Sequence, residues 1–168
     1  MKLSFFPVLC AAVLLAAGCG KSKPKEVSSL ARKEAANLLS EAQFAVQLKD
    51  LARAEPLVAK AAALCPDNGN YWLSLGTIHH ELGRRDAARA DYESAVRAFA
   101  AAYQASPKAP EPLVDRVVVL LALGRPGEAR PLLERARRDH ATHPRVRELG
   151  TLTAEQLQQV PAIKSLVP

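Results

Sequence analysis

Small and apolar residues recur along the middle of the chain in three matched sets. Ala88-x3-Tyr92-x2-Ala95 is preceded by Ala54-x3-Val58-x2-Ala61 and followed by Ala129-x3-Leu133-x2-Ala136. Upstream of the central set lies Trp72-x2-Leu75-Gly76-x2-His79. Steps of three and four residues keep each set on one helix face, so each predicts an amphipathic helix. The step from Ala54 to Ala88 is the length of one helix–turn–helix unit, and a pattern with that period predicts stacked copies of one helix hairpin. Copies stack because a single hairpin cannot bury its own apolar face. They fall at residues 35–68, 69–109 and 110–143.

The second interval, from Ala88 to Ala129, is longer than the first by one heptad. The surplus sits in one helix, where Ala88-x3-Tyr92-x2-Ala95 runs straight on into Ala95-x3-Phe99-x2-Ala102 and then Pro107. A heptad is two helical turns with only about 20° of drift, so the apolar face continues. The pattern predicts one helix over about Asp86–Ser106 whose far end extends past its neighbours. Phe99 and Tyr103 on that end form either a surface covered by the C-terminal segment or an apolar ledge for a partner. Pro56 and Pro131 occupy one shared slot early in the second helices of the first and third copies, where each removes a helical hydrogen bond.

These residues resemble the tetratricopeptide (TPR) repeat, W-x2-L-G-x2-Y followed by A-x3-F-x2-A and a proline. His79 stands where that pattern has Tyr, and Val117 where it has a small residue, so the third hairpin should splay. The resemblance covers residues 35–143, about two-thirds of the chain. It implies an all-α fold, an αα-superhelix of three hairpins with an extended second helix in the second copy. It also implies a concave groove lined by the first helices, which in this family holds peptides or helices. Carried over, the groove residues are Leu39, Gln43 and Val46; Leu73, Thr77 and His80; Val114, Val118 and Leu121. The Lys and Asn pairs that clamp a carboxylate in chaperone-binding members are missing. Val117 to Leu123 is apolar without a break, so this helix must be covered on both faces, by the C-terminal segment, a partner or a second copy.

Composition agrees with helices: alanine supplies 31 of 168 residues and aromatics only 5%, a poor palette for strands. Catalytic chemistry is sparse. His79 and His80 are adjacent and point apart on a helix, His140 and His143 read as basic groups near a helix C-terminus, and Asp91 and Glu93 read as solvated helix positions. No metal site, no cofactor and no enzymatic activity are expected. Seven arginines between Arg125 and Arg147 face only Glu128, Glu134 and Asp139. They read as a solvated outer face rather than a site for an anionic partner, and without interleaved aromatics they do not suggest nucleic acid.

At the N-terminus, Lys2 precedes an uncharged run from Leu3 to Gly18, the layout of a signal peptide. Leu15-Ala16-Ala17-Gly18-Cys19 resembles the lipobox of bacterial lipoproteins, with Ala16 where Leu is commonest. That resemblance implies cleavage of residues 1–18, lipid on Cys19 as the membrane anchor, and Cys65 as the remaining thiol. The mature chain then runs from Cys19 to Pro168, and loss of Lys2 lowers its formal charge by one. Gly20, in place of an Asp, implies outer-membrane sorting in a Gram-negative source. Residues 19–34 form a tether leading into the first helix, its lysines near anionic headgroups. Residues 144–168 form a C-terminal cap, with Thr153-Ala154-Glu155-Gln156 a capping box that opens a short helix carrying Leu157 and Val160, broken by Pro161. The layout is similar to pilotin-type TPR lipoproteins. It implies an envelope adaptor or scaffold that binds a protein or peptide, with an accessory subunit of a wall-modifying enzyme or a self-associating lipoprotein as alternatives.

Overall fold

The computed structural model describes residues 26–168, and within them every regular element is a helix. The lipobox and residues 19–25 of the tether, Cys19 included, lie outside the described residues. Six helices form three consecutive pairs: α1 (Ser29–Gln47) with α2 (Leu51–Leu64), α3 (Gly69–Glu81) with α4 (Arg85–Ala105), and α5 (Glu111–Ala122) with α6 (Pro126–Asp139). Three short helices follow, α7 (Pro144–Glu148), α8 (Ala154–Gln158) and α9 (Pro161–Lys164). The result is an all-α superhelix in which each helix of the three pairs packs on the next.

Helix α1 begins earlier than the repeat pattern, because Ser28 caps it by accepting a hydrogen bond from the Ala31 N–H (3.2 Å). The end of the segment read as tether is therefore helical from Ser29. Helix α4 covers almost the range the inserted heptad requires, Arg85–Ala105. Pro56 and Pro131 both lie inside their helices, at the same place relative to the start.

The three hairpin turns share one geometry. The last residue before each second helix's cap takes a positive φ: Lys49 (61°), Gly83 (72°) and Gly124 (73°). In each turn the next N–H reaches back into the preceding helix, from Asp50 to Ala45 O, Arg84 to His79 O and Arg125 to Leu120 O. This closes the carbonyls at the helix end in a Schellman motif.

Alanines form the contact points between paired helices, with Ala35, Ala42, Ala45, Ala54 and Ala61 all buried in the first hairpin. Two small clusters hold the first hairpin to α3, and a larger one runs from Tyr92 through α5 and α6 to Ile163. Trp72 packs against all three clusters and donates its indole N–H to Pro66 O (3.0 Å). In the third hairpin Val117 is wholly buried at the contact point that Ala42 and Gly76 occupy in the other two.

The capping box at Thr153 is formed: its hydroxyl accepts from the Gln156 N–H (3.2 Å) and the Gln156 side chain accepts from the Thr153 N–H (2.8 Å). Pro161 does not simply end that segment. It opens α9, which buries Ile163.

Candidate functional site

A groove of about 460 Å³ opens between α1 and α3. Its α1 wall carries Leu39, Ala42, Gln43, Val46 and Gln47, its α3 wall Leu73, Ser74, Thr77, Ile78 and Glu81, and Val58 from α2 forms part of the floor. Of the nine groove residues read from the sequence, five line this cavity: Leu39, Gln43, Val46, Leu73 and Thr77. The floor is apolar and the rim consists of amides, hydroxyls and one carboxylate, a composition suited to a ligand held by apolar contact and oriented by few polar groups.

The other four do not line it. His80 is half-buried on α3, and its Nδ1 is buried without a hydrogen-bond partner. Val114 and Leu121 are fully buried and Val118 is packed against the large cluster. The reason lies in the C-terminal segment: α8 and α9 pack on α5, Leu157 and Ile163 join the same cluster, and the Gln158 side chain donates to Leu121 O (3.1 Å). The chain itself covers the third hairpin, so the open groove belongs to the first two.

The apolar ledge is corrected likewise. Phe99 is 3% and Tyr103 8% exposed. The Phe99 ring covers Gly69, where a Cβ would fall 2.5 Å from it. Tyr103 meets His140 of the α6 cap edge-on, its hydroxyl 3.2 Å from Nε2, with the Arg135 guanidinium 5.3 Å over its ring. The extra turns of α4 are thus a buried spine shared by the second and third hairpins.

Behind the groove, sequence reasoning misplaced one residue. Asp91 is buried rather than solvated, with its carboxylate 2.6 Å from His79 Nδ1. His79 Nε2 lies 3.3 Å from Glu55, which also accepts from Arg84 (2.6 Å). This cluster ties α2, α3 and α4 together. Burial pushes the Asp91 carboxyl above its ordinary range, while the bond to His79 pulls it down. The departure of His79 from the repeat pattern was the available signal: a polar ring at a packed position needs a polar partner.

Six of the seven arginines from Arg125 to Arg147 make ion pairs, and Arg147 makes none among the described residues. Arg125 bonds Glu93 and Glu128, Arg130 pairs with Glu155, Arg145 with Asp115, and Arg137 donates to Leu152 O. His143 sits 3.1 Å from Glu111. Among the described residues no group of three His, Cys, Asp or Glu side chains could hold a metal ion, and no helix is long and apolar enough to cross a membrane.

Two family models, both described as tetratricopeptide repeat, match residues 69–101 and 90–153, together half of the chain. The chain belongs to the tetratricopeptide repeat family. Among solved structures, this TPR chain is similar to the Arabidopsis OM64 TPR domain, with 16% identity, 76% of this chain and 96% of that one covered, and a TM-score of 0.46. It is also similar to the Yersinia enterocolitica type III secretion chaperone SycD, solved with a peptide of the translocator YopD, with 23% identity, coverage of 82% and 97%, and a TM-score of 0.49. No curated protein matches the sequence. The first hairpin, which supplies one wall of the groove, lies outside both matched ranges.

Proposed function

We propose that the chain is a membrane-anchored adaptor that holds a protein segment in the groove between α1 and α3 and serves assembly in the cell envelope. The groove carries this reading: its apolar floor and short polar rim suit a peptide or helix, and nothing in its lining resembles a catalytic set. The anchor rests on the lipobox-like Leu15–Cys19, which supplies a thiol and small residues at one cleavage point. Acyl chains there contribute about 0.8 kcal/mol per buried CH₂.

Two measurements test the two halves separately. Cys19→Ser should move the protein from the membrane to the soluble fraction, and unchanged fractionation would rule out the anchor. Leu39→Asp with Leu73→Asp should remove a hetero-partner from pull-downs of the full chain while helicity is kept. Loss of self-association instead would favour a self-assembling lipoprotein.

A further inference from the structure

The groove has a direction. Its walls carry residues matched one repeat apart: Leu39 and Leu73 at one end, Gln43 and Thr77 in the middle, Gln47 and Glu81 at the other. Because each hairpin returns the chain, α1 and α3 run the same way and end together at Gln47 and Glu81. The N-termini of α2 and α4 return at this same end and offset the C-terminal dipoles of α1 and α3, so the charge a ligand meets there is the Glu81 carboxylate.

Charge at this end is uncompensated within the groove. Glu81 is exposed and makes no ion pair among the described residues, whereas Glu41, Glu55 and Asp91 nearby are paired with Arg53, Arg84 and His79. No lysine or arginine lines the cavity. Lys49, beyond the end of α1, is exposed and outside the lining. The opposite end is apolar, so the two ends ask for different side chains.

We propose that the groove selects a basic amphipathic protein segment, seated with an apolar side chain between Leu39 and Leu73 and a lysine or arginine against Glu81. Leu73 and Glu81 lie about 12 Å apart along the helix. The two anchors of the partner are separated by about two turns if it is helical. An acidic segment, or a free C-terminal carboxylate, meets Glu81 and is repelled. This assignment rests on the adaptor reading and narrows the chemistry of the partner.

The test is selection of a randomised phage-displayed peptide library on the full chain in detergent, followed by binding of the selected peptides to variants. Selected peptides should carry Lys or Arg at a fixed spacing from an apolar residue. Glu81→Lys should weaken them about fivefold or more and favour acidic peptides instead, and Leu73→Asp should abolish binding. Peptides that need Leu73 but show no charge preference, or keep their basic preference on Glu81→Lys, overturn the assignment and leave the groove reading standing. Peptides indifferent to Leu73→Asp, or a library without binders, overturn both.

Discussion

Gly76 lies under the ring of Tyr92, so close that a Cβ on the glycine would fall 2.5 Å from it. One heptad away along both helices, Gly69 stands in the same relation to Phe99. The inserted heptad of α4 thus repeats a glycine–aromatic contact instead of ending in solvent. Both contacts fasten α3 to α4 and hold α3 as a wall of the groove.

Gly76→Ala should cost about 1–3 kcal/mol, because an aromatic ring in a packed core must shift to admit the methyl group. Gly69→Ala should cost a similar amount. Gly127→Ala provides the control: nothing lies within 4 Å of its Cβ position, in the first turn of α6. That change should be neutral or stabilise by up to about 1 kcal/mol. Urea unfolding followed by circular dichroism ranks the three.

Lys49 occupies the turn position that glycine fills in the other two hairpins, and its φ of 61° is unfavourable for a side-chain-bearing residue. Lys49→Gly should raise stability by about 0.5–1 kcal/mol, the relief of that conformation less the entropy glycine loses on folding. A lower melting temperature for Lys49→Gly would contradict this.

How far these features could be read from sequence depended on the range of the interaction. Helix hairpins, the fused heptad of α4 and the capping box at Thr153 follow from spacing, because they rest on contacts within one or two helices. The fate of Phe99, Tyr103, Val114 and Leu121 does not. Each lies on an apolar face whose cover comes from a different part of the chain: α3 for Phe99, the α6 end for Tyr103, and α8 and α9 for the residues of α5. Asp91 illustrates the same limit for charge. It falls outside the periodic apolar set of Ala88, Tyr92 and Ala95, and only the packing of α3 against α4 puts His79 beside it.

The His79–Asp91 contact has a defined pH signature. Burial holds the Asp91 carboxyl above its ordinary value of 3.8, so the folded state binds that proton more tightly than the unfolded chain. The stability linked to it is complete below the unfolded value and is lost as pH rises through the folded one. The stability of the wild type relative to Asp91→Asn should therefore fall as pH rises from below 3.8 through the raised folded value. His79→Ala removes the opposing hydrogen bond, so the fall should shift to higher pH. At neutral pH this variant should also lose about 3 kcal/mol by leaving a buried carboxylate unpaired. Guanidinium unfolding of the three proteins across that range decides it, and a flat difference would contradict a net upward shift of the Asp91 carboxyl.

The C-terminal helices stand in for a fourth hairpin, and their removal should convert the covered face of α5 into a sticky one. Leu157 and Ile163 are buried against the same cluster as Leu120 and Leu121, and full burial of such side chains contributes about 1.5–3 kcal/mol each. A chain ending at Thr153 exposes Leu121 and Ala122 next to one another and leaves Arg130 without Glu155. Several kcal/mol of stability should be lost, and the uncovered patch should drive concentration-dependent association visible in sedimentation velocity. Gln158→Ala, which removes only the hydrogen bond to Leu121 O, should cost about 1 kcal/mol and leave the protein in its wild-type oligomeric state. If the truncated chain unfolds like the full one and does not associate, the third hairpin is not covered by this segment in solution. Its face would then be open to a partner alongside the groove of the first two.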